Sequence, residues 1–172
     1  MYAQYGKAFE PPTQVVTIAS SREDFDLTEG TQAEIGLKGV FADGLVQATV
    51  SVFDIQRTNI LTSDPNNSTI TQQVGEQSSQ GIEVSTSIKA SSNVTVDANF
   101  SVLDAQYDKF TDNSGGTPVS RNGNLPTDVP EKLANIWVTW KPTDRWSFGA
   151  GINHVDERAA NRANTVYMDS YE

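Results

Sequence analysis

Residues 74–107 read VGEQSSQGIEVSTSIKASSNVTVDANFSVLDAQY, two long alternating runs on either side of a small polar turn. In the first run Ile82, Val84, Thr86, Ile88 and Ala90 take the even positions, and Gly81, Glu83, Ser85, Ser87 and Lys89 the odd ones. After Ser91, Ser92 and Asn93 the pattern resumes, with Val94, Val96, Ala98, Phe100 and Val102 set against Thr95, Asp97, Asn99 and Ser101. A period of two predicts β-strand, because successive side chains point to opposite faces of a sheet. Each strand then has one uncharged face and one polar face.

The same rhythm covers most of the chain. Residues 2–9 predict a short strand, ended by Glu10, Pro11 and Pro12, since proline cannot donate to a ladder. A polar loop follows to about Gly30, in which Ser20 or Ser21 could cap at most a single helical turn. Residues 32–41 alternate again and run into Asp43-Gly44, a strong hairpin signal that predicts a type I′ turn. Residues 45–61 begin with Val46, Ala48, Val50 and Val52 on one face and change parity at Phe53 and Ile55. A β-bulge near Val52, or a strand leaving the apolar layer there, accounts for the change. Residues 131–141 and 145–156 form a further pair about Pro142, Thr143 and Asp144, and residues 165–171 begin one more strand.

These elements make an all-β, antiparallel up-and-down meander of about eight strands. Its connections alternate in length: the short ones lie at 43–44, 91–93 and 142–144, the long ones at 62–73 and 108–129. In a meander, alternate connections fall at the same end, so short turns gather at one end and long loops at the other. That asymmetry, with strands of about 10–17 residues, is the pattern of an outer-membrane barrel, whose strands need only ~9–11 residues to cross. Trp140 and Trp146 flank a short turn on the uncharged face, where an aromatic girdle belongs. A soluble β-sandwich, in which the uncharged faces of two sheets pair, alternates too and is the competing reading.

Composition narrows the choice. Hydrophobic residues make up 37% of the 172, and the mean hydropathy is −0.43, which suits strands with one wet face. No stretch approaches the ~20 apolar residues of a membrane helix. A net charge of −10 argues against a nucleic-acid partner. The absence of cysteine excludes disulfides and thiolate metal sites. The start, Met1 to Tyr5, is not a signal peptide, having neither a basic nor an apolar region, so either the protein is cytosolic or the chain is a piece of something longer with an added or chance initial Met.

Several segments resemble those of TonB-dependent siderophore receptors, in the order in which that family carries them: YGKAFEP at 5–11, EIGLKG at 34–39, FDIQRTNIL at 53–61 followed by DPNN at 64–67, and GEQSSQGIE at 75–83. Leu125-Pro126 leading through Val129-Pro130 to Trp137 is the fifth. The resemblance implies a 22-stranded transmembrane β-barrel of the bacterial outer membrane that encloses an N-terminal plug and imports ferric siderophores with energy from the TonB complex. Residues 1–172 would supply about strands 13 to 20. The plug, through which TonB acts, the early strands and the last strands are not in this sequence. The alternative remains a soluble all-β binding or structural domain without transport activity.

No catalytic constellation appears, so no enzyme is expected, and no cofactor or metal site is assigned; a ferric siderophore would be cargo. His154 stands on uncharged-face parity near the loop end and reads as an interfacial or packing residue. Glu23, Asp24, Asp26 and Glu29 form an acidic cluster without EF-hand spacing, read as a solvated loop. Arg121, Arg158 and Arg162 sit in loops and could meet an anionic siderophore, though no ligand-binding residue is assigned. Parity designates as lipid-facing Val84, Ile88, Val96, Phe100, Ile136, Val138, Trp140, Trp146 and Phe148, with Glu83, Lys89 and Asp97 toward a wet lumen and Trp137 on the lumen side.

Overall fold

The structure is a computed structural model that describes residues 1–11, 25–67, 70–113 and 116–172. Seven long strands form one antiparallel sheet: β1 (Tyr2–Glu10), β2 (Thr28–Phe41), β3 (Val46–Ser63), β4 (Thr71–Lys89), β5 (Val94–Lys109), β8 (Lys132–Thr143) and β9 (Trp146–Val155). Their spatial order is their order in the chain. Four two-residue strands stand apart at the loop end: β6 (Thr111–Asp112) pairs with β7 (Val119–Ser120), and β10 (Arg158–Ala159) with β11 (Tyr167–Met168).

The pairing carries the alternation across the whole sheet. Residues directly opposite one another share a face, and the ladder links Ile35 to Val52, Ile82 and Val102 in one row. The next uncharged row is Leu37, Val50, Val84, Phe100 and Ala134, and the one below it Gly39, Ala48, Thr86, Ala98, Ile136 and Ile152. Between these rows, on the other face, run Gly36, Ser51, Glu83, Ser101 and Leu133. A slip of one residue anywhere would put charges among the apolar rows, so the sequence pattern itself fixes the register.

Three local expectations need correction. There is no bulge at Val52: pairing of β2 with β3 is unbroken from Glu29 opposite Thr58 to Phe41 opposite Val46. The strand instead rises past the apolar rows, and the register shifts against β4 lie at Arg57, Ile60 and Leu61. There Asn59 takes a positive φ of 58°. Its carbonyl accepts from Thr28 Oγ1 and Gln73 Nε2, which ties β2 to β4 across the irregular strand. The hairpin at Asp43-Gly44 is not a two-residue type I′ turn either. Phe41 pairs with Val46, and Ala42, Asp43 and Gly44 all have positive φ (52°, 53° and 89°) in a four-residue turn. The strand expected at 165–171 shrinks to β11, and the sheet reaches the segment only through a bridge between Val155 and Tyr171.

The sheet has almost no core. Among the described residues the buried hydrophobic side chains are Ala105, Tyr107, Phe110, Val155 and Ala159, all near the loop end. A soluble sandwich would bury its uncharged rows. Here Ile82, Phe100 and Ile152 are 51%, 48% and 65% exposed.

Candidate functional site: a two-faced wall with an infolded loop end

The uncharged face is a continuous exposed belt. Val84 and Phe100 lie side by side in one row; Ile88, Val96 and Val138 share a lower one; Ile136 stands between them. At the short-turn end Trp140 faces Phe148, with ring centroids 5.7 Å apart, and Trp146 stacks on Phe148 at 6.4 Å. All nine side chains designated by parity therefore occupy one face. Along β5 the belt runs from Val94 to Val102, about 26 Å of strand at ~3.3 Å per residue, or about 20 Å of height at a tilt of ~40°. Above it the same face turns polar, with Asp54, Gln80 and Asp104 in one row and Gln56, Ser78 and Gln106 in the next.

The opposite face is polar and partly hollow. Tyr2 donates its hydroxyl to Glu34 Oε1, and Gln32 Nε2 donates to Glu34 Oε2 at 3.2 Å. Tyr2 and Glu34 border a cleft of about 370 Å³ that also takes in Ser51, Glu83, Asn99 and Asn135. Three aromatic rings on this face reach over glycines. Tyr2 covers Gly36, Phe53 covers Gly81, and Trp137 covers Gly149 and Gly151, so that a Cβ at any of these glycines would strike the ring. Trp137 is on the polar face, as its parity requires.

At the long-loop end two connections fold together. Tyr107, in the polar-face row with Arg57 and Gln77, stacks on Phe110 at 4.6 Å, and the Arg162 guanidinium lies over the Phe110 ring at 5.1 Å. Thr62 Oγ1 donates to Thr111 O and accepts from Thr111 N, both at 2.6 Å. Asn164 accepts from Leu125 N at 2.7 Å and donates to Leu125 O at 2.9 Å, closing a two-bond clamp, and Asn124 Nδ2 donates to Arg162 O at 2.7 Å.

The residues weighed from sequence separate here. Arg158 donates to Asp128 at 2.7 Å and stacks over Tyr171, and Arg121 lies 3.6 Å from Asp112; both are largely buried. Arg162 stays half-exposed. His154 sits 3.7 Å from Glu172 at the edge of the uncharged face. Of the acidic cluster, Glu23 and Asp24 lie outside the described residues, as do Ser20 and Ser21; Glu29 pairs with Lys7 at 2.7 Å. Among the described residues no three carboxylates or imidazoles converge to hold a metal.

The family model described as TonB dependent receptor-like, beta-barrel matches residues 1–172. The chain belongs to the TonB-dependent receptor β-barrel family. It is 28% identical over 174 residues to the ferrichrome outer membrane transporter/phage receptor of Escherichia coli, covering 99% of this chain and 22% of that protein. It is likewise 28% identical over 165 residues to a probable TonB-dependent siderophore receptor, PiuA, of Acinetobacter baumannii, covering 90% of this chain and 21% of the other. The crystal structure of the siderophore receptor PiuA from that organism superposes with a TM-score of 0.81 at 24% identity, over 98% of this chain and 25% of that one. The chain thus spans about a fifth to a quarter of these relatives. TonB-dependent receptors are transport proteins of the outer membrane, not enzymes, and this chain is an outer-membrane barrel segment of that family.

Membership explains why the uncharged face is left bare and why the strands are so long. In the sequence Arg57 is one letter of a family-like run, FDIQRTNIL, and Asn164 has no motif around it. The pairing that gives each a place spans β2 to β5 for one and residues 125 to 164 for the other. The aromatic-on-glycine pairs did carry a signal, since glycines at 36, 81, 149 and 151 interrupt strands that could otherwise hold larger residues.

Proposed function

We propose that residues 1–172 are wall strands, about the thirteenth to the twentieth, of a receptor that imports ferric siderophores using energy delivered through TonB. The plug that TonB engages would come from other parts of the receptor. In this reading the short turns face the periplasm and the infolded loops face outward. Val84, Ile88, Val96, Phe100, Ile136, Val138, Trp140, Trp146 and Phe148 meet outer-membrane lipid, and Glu34, Glu83 and Asp97 meet a wet lumen. The receptor needs no cofactor of its own, because the siderophore brings its own iron ligands.

The observation that carries the reading is the exposed belt. A face that leaves Ile82 and Phe100, both in the middle of the sheet, 51% and 48% exposed is unfavourable in water, since each fully buried side chain of this size is worth ~1.5–3 kcal/mol. Hydrocarbon on one side and water on the other satisfies both faces at once, and the one-ended loops fit the same orientation.

Cysteine accessibility tests it. This segment has no cysteine of its own, so single thiols can be placed at 84, 88, 100 and 136 and at 83, 87, 97 and 101 without background from these residues. In cells, a membrane-impermeant maleimide should leave the first set unmodified and label the second once the outer membrane is permeabilised. Equal labelling of both sets would remove the lipid assignment. Iron uptake from the receptor's siderophore should stop when TonB is deleted; uptake that persists would remove the transport claim and leave the wall intact.

A further inference from the structure

The two connections at the loop end, 110–131 and 156–168, each hold themselves together. In the first, β6 pairs with β7, while Arg121 N donates to Phe110 O and Gly123 N to Tyr107 O, both at 2.8 Å. In the second, Ala160 N donates to Val166 O at 2.8 Å. Asn161 fastens that turn through its side chain, which donates to Thr165 Oγ1 at 2.8 Å and accepts from Thr165 N at 3.0 Å.

A second set of bonds runs between the connections. Asn164 clamps both backbone groups of Leu125, and Asn124 Nδ2 reaches Arg162 O. Arg158 donates to Asp128 Oδ1 at 2.7 Å, and the Asp128 amide donates to Ala159 O at 3.0 Å. Asp112 stands between Arg121 of one connection and Arg162 of the other, at 3.6 and 3.7 Å. The Arg162 guanidinium also covers Phe110. The backbone bends to make this joint: Asp128 and Asn164 hold φ of 64° and 52°, a left-handed region that Asp and Asn tolerate better than most residues. Phe110 and Ala159, one from each connection, are 4% and 0% exposed. A segment that opens on its own has few buried contacts, and neither connection fits that description. Between them and the wall lies a cleft of about 310 Å³, lined by Arg57, Gln77 and Tyr107 on one side and Pro126, Val129 and Arg162 on the other.

We propose that the two connections are one cooperative unit, a single lip against the polar face, which opens as a whole or not at all. Each connection is closed on itself, and the bonds between them join those closed pieces at both ends, from Asp112 and Leu125 to Asp128. Freeing one connection therefore strips the other of its partners: the Leu125 backbone, the Asp128 carboxylate and the Phe110 ring all lose what covers or pairs them. In the receptor reading above, the lip narrows the mouth on this side of the barrel as one piece, in place of two lids that move separately. The locking follows from the contacts themselves and stands whether or not that reading does.

The test is amide hydrogen exchange in the whole receptor that contains this segment, in detergent, read at single residues by mass spectrometry. The reporters are Arg121 and Gly123 in one connection and Ala160 in the other, because none of these amides bonds across the joint. Asn161→Ala removes side-chain bonds made wholly inside the second connection. It should speed exchange at Ala160 and, by the same factor, at Arg121 and Gly123, roughly fivefold in each, the scale of a lost hydrogen bond. Asp128→Asn keeps the size of the side chain and its tolerance of positive φ but gives up the charge on the Arg158 bond. It should speed all three reporters together as well, while amides in the middle of β4 and β5 keep their protection. Faster exchange at Ala160 alone in Asn161→Ala, or no change at any reporter in Asp128→Asn, would make the connections independent and overturn the proposal. An equal loss of protection in β4 and β5 would overturn it too, since the lip would then open only with the whole sheet.

Discussion

Trp137 lies across Gly149 so closely that a Cβ on the glycine would sit 2.5 Å from Trp137 Cζ2. The two residues are on neighbouring strands of the polar face, one pair removed from direct opposition, since Trp137 itself faces Gly151. Glycine in a strand normally weakens it, and an aromatic ring laid over it restores part of the loss by covering bare backbone.

This contact predicts a specific pattern of coupling. Gly149→Ala should destabilise the receptor by about 1–3 kcal/mol, the usual cost of overpacking. The three nearest atoms a Cβ would meet there belong to Trp137, so Trp137→Ala should remove most of that penalty. At Gly151 the Cβ would also strike the carbonyl oxygen of Ile136, and Trp137→Ala should rescue Gly151→Ala only in part. Denaturant unfolding of the three single variants and the two doubles, as coupling cycles, measures the difference. Full rescue at both sites would place the strain in the ring alone.

Asn164 predicts a different kind of loss. Its side chain clamps Leu125 by two hydrogen bonds while its backbone holds a φ of 52°. Asn164→Gly keeps the backbone and removes the clamp, at about 1–3 kcal/mol for the backbone groups left unpaired. Asn164→Ala removes the clamp and adds about 1 kcal/mol for a Cβ in the left-handed region. Hydrogen exchange at the Leu125 amide should accelerate in both variants, and the alanine variant should be the less stable. Unchanged protection at Leu125 would mean that the two loops are held by other contacts.

The strands were legible because alternation is a local property: Glu83 to Lys89 and Val94 to Val102 show their faces in order of sequence. The family was legible from five short runs. The details that escaped depend on what lies across the sheet. Phe53 and Ile55 change parity because β3 rises above the apolar belt, yet a bulge gives the same sequence pattern; only the unbroken pairing of β2 with β3 separates the two. Asp43-Gly44 signalled a hairpin correctly, but the turn widens because Ala42 joins it with positive φ, a conformation alanine rarely adopts. Arg57 and Arg162 line one cleft from distant positions in the chain, and no sequence spacing encodes that.

The two faces of the wall make the sharpest prediction. Ile88 and Phe100 stand on the belt in rows on either side of the one that holds Ala98 and Ile136, so both lie within a few residues of its middle. Arginine at either position should cost ~2–4 kcal/mol if it meets hydrocarbon there. One residue along, the same substitution meets a different world. Ser87 faces Asp97, and Ser101 faces Glu83, each directly across a strand pair, so an arginine at 87 or 101 finds a carboxylate opposite it and a wet lumen around it. Ser87→Arg and Ser101→Arg should therefore cost less than about 1 kcal/mol, the range over which cross-strand charge pairs act. Unfolding free energies in lipid vesicles for the four variants give the comparison. Penalties that fail to alternate between neighbouring positions would mean that the uncharged face meets something other than the bilayer interior.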